Sequence, residues 1–304
     1  MAATQAVLFA NPSSGRAKRW LFQLIEGCPA HGLDLVSTHF DLRPEAIQEA
    51  LDVAQGRGVN VVLAAGGDGT MGTVAGCLAH TDFTMGVLPT GTSNDFARSL
   101  AIPIHPDSAL AIVAEGKAIR VDLGEAGDRI FCHAATVGIN TEFARAAGEL
   151  RGAVGRVSYP LAALRVYRRR KRFGVRIETA DDVRSLDAFE VAFVNAPVYG
   201  GPLELEVARS ELEDRMLRAV VVQDIAPAAL LSGLLMALRR RPIRVRGVRS
   251  FSVTEATVRT VPPLPVTVDG EIGEQTPQPF RVLPASLRVF VPSSFARSKH
   301  GTAV

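Results

Sequence analysis

Two glycine-rich turns that each carry an aspartate are the segments of this sequence best suited to chemistry. The first, Gly66 to Thr70 (GGDGT), follows an apolar run and precedes a predicted helix, where free backbone N–H groups and the helix dipole attract an anion such as phosphate. A tight strand-to-helix turn alone would also need glycines. Asp68 adds a constraint, because a carboxylate about 4 Å from a phosphate charge is repelled by roughly 4 kcal/mol at an effective dielectric constant of 20. Mg²⁺ carried by a nucleotide would remove that repulsion.

The second turn is Pro89 to Asp95 (PTGTSND), in which Thr92 and Asn94 offer side-chain hydrogen bonds and Asp95 offers another carboxylate. Ser-Asn-Asp is also an ordinary helix N-cap sequence. Two such turns at the ends of strands that could be neighbours favour a nucleotide site. The GxxxxGK[ST] pattern is absent, and so is GxGxxG after the first strand, which disfavours a P-loop protein and an NAD-binding Rossmann domain.

Strands and helices alternate through the first 118 residues, which predicts a mostly parallel sheet covered on both faces, with ligands at the carboxyl ends of its strands. Both glycine-rich turns sit at such ends. The helices follow each strand, beginning with the apolar spacing of Trp20, Leu21, Leu24 and Ile25. The predicted strands are Ala6 to Ala10, Leu33 to Ser37, Val59 to Ala65 and Met85 to Leu88.

From residue 119 onward the pattern changes to short β-rich runs, which predict a sandwich-like or barrel-like lobe. Two stretches with helical periodicity, Gly152 to Phe173 and Pro227 to Arg240, predict helices inserted between these strands. The predicted strands are Ile119 to Leu123, Ile130 to Thr136, Val175 to Thr179, Phe189 to Asn195, Leu217 to Gln223, Ile243 to Val245, Phe251 to Thr254, Val266 to Val268 and Leu287 to Val291.

Composition limits the possible classes of protein. The 304 residues are 47% hydrophobic, enough for two packed lobes and too apolar for global disorder. The formal charge of +3, from 34 basic and 31 acidic residues, is too balanced to indicate a nucleic-acid partner. The longest apolar stretch, Ala226 to Leu238, is shorter than the ~20 residues of a membrane-spanning helix, and we expect neither such a helix nor a signal peptide. Three scattered cysteines fit a reducing cytoplasm, and the six histidines lack ligand spacing, so we assign them no chemistry.

Two predicted helices change from apolar to basic along one face. The stripe of Val154, Val157, Leu161 and Leu164 continues into the basic run Arg165 to Arg172, and Leu230 to Leu238 leads into the basic run Arg239 to Arg249. Cations that complement helix C-termini explain some of these residues. Basic residues near an anionic leaflet contribute about 1 kcal/mol each, so reversible docking at a membrane surface is the favoured interpretation.

Three segments together resemble the N-terminal motifs of the diacylglycerol kinase catalytic-domain family, which includes soluble bacterial lipid kinases and the sphingosine and ceramide kinases. They are Asn11 to Gly15 (NPSSG), the GGDGT turn, and Pro89 to Arg98 (PTGTSNDFAR). Asp122 in a Val-Asp-Leu-Gly context, Gly200 to Pro202 and Asp269-Gly270-Glu271 are similar to later motifs of the family, so the resemblance spans nearly the whole chain. GGDGT alone is shared with NAD kinases, whereas GTSNDFAR is more selective for lipid kinases.

The resemblance implies an α/β N-terminal lobe and a β-sandwich-like C-terminal lobe with the active site in the cleft between them. We expect a nucleotide-binding domain over residues 1–118, a lipid-acceptor domain over 119–290, and a segment over 291–304 that returns to the first domain. The cofactors implied are ATP and Mg²⁺. Asp68, Asp95 and Asp122 would order the metal and its waters, and Glu271, with Asp269 and Asp68, would serve catalysis. The residues expected at the nucleotide are Asn11, Thr38, Gly66, Gly67, Gly69, Thr70, Gly91, Thr92 and Asn94.

The chain departs from the family pattern in two places. Gly72 stands where the family commonly has asparagine, which would remove one polar contact. Glu213 to Leu217 replaces a DG-containing motif that binds a structural cation in some bacterial members, so we assign no second metal site. Val-Asp-Gly-Glu is also an ordinary β-turn sequence.

We therefore expect a cytoplasmic, reversibly membrane-associated lipid kinase that transfers the γ-phosphoryl group of ATP to a lipid hydroxyl, with diacylglycerol or a related lipid as acceptor. Two alternatives stay open. One is an NAD kinase-like enzyme that acts on a soluble acceptor, and the other is a non-catalytic lipid or nucleotide sensor of the same fold. The sequence specifies neither the acceptor lipid nor the oligomeric state.

Overall fold

The computed structural model describes residues 3–13, 17–139, 171–196, 198–199, 205–206, 211–223 and 248–295. The first lobe alternates strands and helices, as its sequence predicts. Its elements are β1 (Thr4–Ala10), α1 (Ala17–Gly27), a 3₁₀ turn (Pro29–His31), β2 (Leu33–His39), α2 (Pro44–Gly56), β3 (Val61–Gly66), α3 (Asp68–Leu78), β4 (Thr84–Pro89), α4 (Asp95–Ser99) and α5 (Pro106–Glu115).

The rest of the described chain is made of strands. They are β5 (Ala118–Ala126), β6 (Arg129–Phe131), β7 (Ala134–Gly138), β8 (Phe173–Glu178), β9 (Val183–Ala188), β10 (Glu190–Val194), β11 (Val198–Tyr199), β12 (Leu205–Glu206), β13 (Leu217–Val222), β14 (Val248–Val253), β15 (Glu255–Val261), β16 (Pro265–Val268), β17 (Glu271–Gln275) and β18 (Gln278–Phe290).

Helices α2 and α5 begin with proline, a start signal that α3 lacks. Both α2 and α5 have an acidic residue in the first turn. Helix α3 contains Gly69, Gly72 and Gly76, which together cost about 3 kcal/mol of intrinsic helix stability relative to alanine. Its stability therefore comes from packing between the parallel strands and the second lobe.

A ten-stranded sheet runs through both lobes. Its main path is β2-β1-β3-β4-β18-β15-β8-β9, with β5 paired to β18 and β6 paired to β5. Strands β1 to β4 are parallel to one another, and β18 adds to β4 in the same direction before it pairs antiparallel with β5 and β15. Strand β3 is buried along its whole length, as expected for a strand covered on both faces.

The second lobe packs the antiparallel part of this sheet against a six-stranded sheet of order β14-β13-β10-β7-β16-β17. Alternate residues of both sheets meet in one core, where the rings of Phe193 and Phe280 stack with centroids 4.2 Å apart. The predicted fold class, an α/β lobe with a mostly parallel sheet followed by a β-sandwich-like lobe, is confirmed.

Strands β5 and β18 belong to both lobes, so the boundary expected after residue 118 falls inside β5, and the one expected after residue 290 falls at the end of β18. Ile119, Val121 and Leu123 pack into the first core, and Ala126 packs into the second. The return to the first lobe begins near Leu287, before the predicted segment 291–304 starts, because Arg288 and Val289 pair with β4. A register shift between Leu283 and Leu287 lets one strand serve both cores.

Several predicted elements differ in detail. The single strand expected over Ile130 to Thr136 breaks into β6 and β7, because the backbone N–H groups of Cys132 and His133 bind the carboxylate of Asp269 instead of a neighbouring strand. Phe173 begins β8 and does not end a helix. Strands β9, β15 and β17 were not predicted, since their outward faces are polar and their apolar residues few.

Three predicted elements fall outside the described residues: the helix over residues 152–170, the helix over Pro227 to Arg240, and the strand Ile243 to Val245. The predicted motif Gly200 to Pro202 also lies outside them. Within the described ranges, no helix is long and apolar enough to cross a membrane.

Candidate active site

The two glycine-rich turns lie against each other at the carboxyl ends of β3 and β4. The strands pair in parallel with Gly66 opposite Pro89, and the N–H groups of Thr90 and Gly91 donate to Gly66 O at 2.9 and 3.1 Å. A β-carbon on Gly91 would lie 2.5 Å from the Gly67 α-carbon, so the two backbones touch only because Gly91 has no side chain. The sequence prediction that the two turns are neighbours therefore matches the structure.

Asp68 links the two helices that follow these turns. It is the first residue of α3, whose N-cap is Gly67, and no side chain caps this helix. The Asp68 Oδ1 atom accepts a hydrogen bond from the backbone N–H of Phe96 in the first turn of α4, at 3.1 Å. The N-terminus of α3 thus remains available to an anion, while one oxygen of Asp68 holds α4 in place.

Asp269 brings a carboxylate from the second lobe to α3. The residue adopts a left-handed conformation (φ 45°) at the end of β16. Its Oδ1 atom accepts hydrogen bonds from the N–H groups of His133 (3.1 Å) and Ala134 (3.0 Å), and its Oδ2 atom accepts one from Cys132 (2.9 Å). Three backbone donors therefore fix the orientation of this carboxylate.

His133 joins the same cluster, although its isolated position in the sequence gave no sign of a role. The residue is buried, and its Nε2 atom lies 3.7 Å from Oδ2 of the buried Asp95. Because its backbone N–H also binds Asp269, His133 contacts carboxylates of both lobes. No spacing pattern could have revealed this, since the arrangement depends on residues far apart in the chain.

Glu271 lies two residues after Asp269 on the outer side of the turn, and it is exposed. Arg129 Nη2 donates to Glu271 Oε2 at 2.8 Å, and the pair links β6 to β17. The Glu271 Oε1 atom lies 3.1 Å from the position that a β-carbon on Gly69 would occupy. Arg129 is a second residue that the sequence analysis did not identify, because its partner is 142 positions away.

Burial and the neighbouring carboxylates set the electrostatics of the cluster. Desolvation raises the pKa of Asp269 to about 6, against the opposing effects of His133 and the backbone donors, and Asp68 raises the pKa further. Burial raises the pKa of the Cys132 thiol well above its usual range, with Asp269 and Asp68 adding to the shift. The Cys132 thiol therefore stays neutral, and Asp68 and Asp269 lie close enough to act on the same neighbour.

The residues expected at the nucleotide do not all lie at the two glycine-rich turns in the same way. Asn11 reaches Thr70, with Nδ2 3.5 Å from Oγ1, beside the first turn. Thr92 is exposed on the second turn. Asn94 is buried inside that turn, where its Oδ1 accepts from Gly91 N–H and its Nδ2 donates to Gly91 O, both at 2.9 Å, so its side chain closes the turn. Thr38 is partly exposed on β2, which β1 separates from β3.

Asp122 does not join the cluster. Its Oδ2 atom accepts a hydrogen bond from Arg215 N–H at 2.6 Å and its Oδ1 atom accepts one from Ala285 N–H at 2.7 Å. The side chain is almost completely buried in the strand junction, and burial raises its pKa. Among the described residues, no group of three or more His, Cys, Asp and Glu side chains has metal-ligand spacing. The structure therefore does not gather Asp68, Asp95 and Asp122 into one ligand set, because Asp122 is almost completely buried in the strand junction.

Two family models cover nearly the whole chain. The model of the diacylglycerol kinase catalytic domain matches residues 5–126, and the model described as a YegS C-terminal NAD kinase beta sandwich-like domain matches residues 133–291. The chain belongs to the diacylglycerol kinase catalytic-domain family. The resemblance identified from the sequence motifs is thereby confirmed.

The chain is similar to several other proteins over most of its length. The chain is 28% identical to a diacylglycerol kinase of Staphylococcus saprophyticus over 303 residues, covering 95% of this chain and 96% of the relative. A 28% identity to an uncharacterized protein of Synechocystis extends over 81% of this chain but only 58% of that protein. A crystal structure of a Bacillus anthracis diacylglycerol kinase superposes with a TM-score of 0.70 at 17% identity, covering 97% of this chain and all of that one.

The residues of this family member fit the Mg²⁺-bound nucleotide that a kinase requires. The N-terminus of α3 has no side-chain cap, and Gly67, Asp68 and Gly69 around it are partly exposed, so a phosphate can reach the backbone there. Asp68 and Asp95 supply the hard oxygen atoms that Mg²⁺ and its waters prefer. The fit concerns these two aspartates and does not include Asp122.

Proposed function

We propose that this family member is an ATP-dependent lipid kinase that transfers the γ-phosphoryl group to the hydroxyl of diacylglycerol or a related lipid. One observation carries the proposal: Asp269 of the second lobe packs against α3, the helix whose open N-terminus begins with Asp68. In this proposal the phosphate donor would bind on the first lobe, and a carboxylate of the second lobe would accept the proton. Membership in the diacylglycerol kinase family supports this assignment.

On the donor side, the backbone of Gly66 to Gly69 and the N-terminus of α3 would bind the phosphates. Asp68 and Asp95 would hold Mg²⁺ through its waters, and the ion would supply the charge that offsets the developing negative charge during phosphoryl transfer. The hydrogen bond from Phe96 to Asp68 keeps the first turn and α4 in a fixed relation. Little reorganisation would then be needed when the nucleotide binds.

On the acceptor side, we assign proton acceptance to Asp269. As the lipid oxygen forms its bond to the γ-phosphorus, the bond from that phosphorus to the ADP oxygen breaks and the hydroxyl proton passes to a carboxylate. Asp269 suits this role better than Glu271, since burial raises the pKa of Asp269 to about 6 and makes it the stronger base. Glu271 is exposed and paired with Arg129, which supports a role in holding the turn.

Access to a lipid would come from reversible association with an anionic membrane surface. The basic runs Arg165 to Arg172 and Arg239 to Arg249 support this part of the proposal. Of the basic residues in these runs, Lys171, Arg172 and Arg249 lie in the described ranges, and all three are exposed.

The experiment is incubation of the purified chain with γ-labelled ATP and Mg²⁺ in three parallel reactions that contain diacylglycerol in mixed micelles, a total lipid extract, or NAD. We expect a labelled lipid, separated by thin-layer chromatography, in the first two reactions and no labelled NAD. Labelled NAD in place of lipid would identify the soluble-acceptor alternative. Absence of label in every reaction would favour the non-catalytic sensor.

A further inference from the structure

One face of α3 is made of glycine and receives the second lobe. Gly69, Gly72 and Gly76 follow one another at helical spacing, so they lie on one side of the helix. A β-carbon on each would meet a residue of the other lobe: Glu271 beside Gly69, Asp269 beside Gly72, and Ile130 beside Gly76. The turn that carries the acceptor carboxylate therefore packs directly on this face.

The contact at Gly72 is much closer than at its two neighbours. A β-carbon there would lie 2.5 Å from Asp269 Oδ2, 3.5 Å from its Cγ and 3.6 Å from its Cβ. The corresponding distance is 3.1 Å at Gly69, to the end of an exposed glutamate, and 3.5 Å at Gly76, which is an ordinary contact. Any side chain at position 72 must displace the Asp269 carboxylate.

Asp269 cannot move aside without losing its binding pocket. The same Oδ2 atom accepts the hydrogen bond from Cys132, while Oδ1 accepts those from His133 and Ala134. Rotation of the side chain away from α3 would break these bonds and leave backbone donors unpaired. The absence of a side chain at Gly72 is thus coupled to one orientation of Asp269.

We propose that Gly72 is a positioning residue: its missing side chain provides the space in which the Asp269 carboxylate is held next to the start of α3. The inference rests on the proposed function, in which that carboxylate accepts the proton of the lipid hydroxyl. From the sequence alone, Gly72 in place of the family's asparagine is only the loss of one polar contact. The inference gives this glycine a role of its own. In this chain the place of the asparagine side chain is occupied by Asp269.

The first test is a thermal-unfolding cycle that needs no substrate. Gly72→Ala should lower the unfolding midpoint of the native chain, because the methyl group displaces the carboxylate. In an Asp269→Gly background, which suits the left-handed backbone, the same substitution should raise the midpoint, because alanine is the better helix former. Gly76→Ala, the matched control on the same face, should raise the midpoint in both backgrounds.

The second test measures lipid phosphorylation. Gly72→Ala should lower kcat by about tenfold or more with the KM for Mg·ATP unchanged within about twofold, since the phosphate turn precedes this position. Gly76→Ala should leave both constants near their wild-type values.

The two tests separate the possible failures. An equal loss of unfolding midpoint from Gly72→Ala in both backgrounds, or an unchanged kcat, would overturn the inference. If the wild-type chain labels no lipid, the proposed function fails, and the sign of the thermal effect alone decides whether Gly72 holds Asp269.

Discussion

Asp122 and Asp269 are aspartates that bind backbone N–H groups from distant segments, but they lie in different surroundings. Asp122 is almost completely buried in the strand junction, where its partners are Arg215 and Ala285. Asp269 is partly exposed at the lobe interface, where it binds the backbone around His133 and lies near Asp68. The same type of anchoring therefore fastens strands in one region and presents a carboxylate to a helix N-terminus in the other.

The nature of the donors explains this difference. Arg215 and Ala285 both have positive φ values, 59° and 45°, so Asp122 stabilises two strained backbone positions. Cys132, His133 and Ala134 are consecutive, and they surround Asp269 as a single pocket. A pocket built from one segment can hold a carboxylate in a defined orientation and still leave it accessible.

The largest expected effect is the loss of turnover on changing Asp269. Asp269→Asn should lower kcat for lipid phosphorylation by about a thousandfold, because an amide does not accept the hydroxyl proton. Initial rates at saturating Mg·ATP would measure this, with circular dichroism to verify folding. Asp187→Asn, an exposed change in β9, is the control. A rate for Asp269→Asn within tenfold of the control would contradict the role in proton acceptance.

Removal of the Asp122 carboxylate should act mainly on stability. Asp122→Ala leaves the N–H groups of Arg215 and Ala285 without their acceptor, and we expect the free energy of unfolding to fall by about 3 kcal/mol. Urea unfolding measures the change, and Asp34→Ala at an exposed position should stay within about 0.5 kcal/mol of wild type. Equal effects of the two substitutions would show that Asp122 does not fasten the junction.

Substitution of Arg129 tests whether the Arg129–Glu271 pair orients the acceptor turn or only stabilises the fold. Arg129→Met should lower turnover about tenfold while changing stability by less than about 1 kcal/mol, because the pair is exposed but orients the acceptor turn. Arg281 pairs with Glu125 away from the cluster, so Arg281→Met should leave turnover unchanged. Equal turnover in Arg129→Met and Arg281→Met would contradict a role of Arg129 in orienting the acceptor turn.

The smallest effect concerns the pH dependence of stability at the Asp122 junction. Burial raises the pKa of Asp214 to about 6, with Asp122 adding to the shift and Arg218 opposing it. The folded state therefore binds the Asp214 proton more tightly than the unfolded state, so this contribution to stability is present below about pH 3.9 and is lost as the pH rises through 6. The free energy of unfolding of Asp214→Asn should therefore rise by about 1 kcal/mol relative to that of wild type between pH 4 and 7, after allowance for partial exposure. A difference in unfolding free energy between the two proteins that stays constant from pH 4 to 7 would contradict this prediction.

The parts of the fold that depend on local pattern could be predicted from the sequence. The continuous apolar run of β3 and the glycines that follow it define the first turn, and its pairing with β4 followed from the alternation of strands and helices. The shared strand β18 could not be foreseen, since its bend depends on a register shift and on contacts with both lobes.

The site was predictable only where residues act through neighbours in the sequence. Asp68 and Asp95 lie in recognisable turns, whereas His133 and Arg129 carry no pattern. Asp122 has a motif context that suggested a place near the metal, yet its partners lie 93 and 163 residues away and engage both oxygens. Such long-range backbone contacts leave no trace in local spacing.

The central claim is that the negative charge of Asp68 serves Mg²⁺-dependent phosphoryl transfer and is not present merely to cap α4. Asp68→Asn tests it most directly, because the amide oxygen can still accept the Phe96 N–H while the charge is removed. We expect the variant to remain folded and to lose phosphorylation of diacylglycerol by about a hundredfold or more at saturating ATP and Mg²⁺. Wild-type turnover by this variant would contradict the claim and reduce Asp68 to a helix cap.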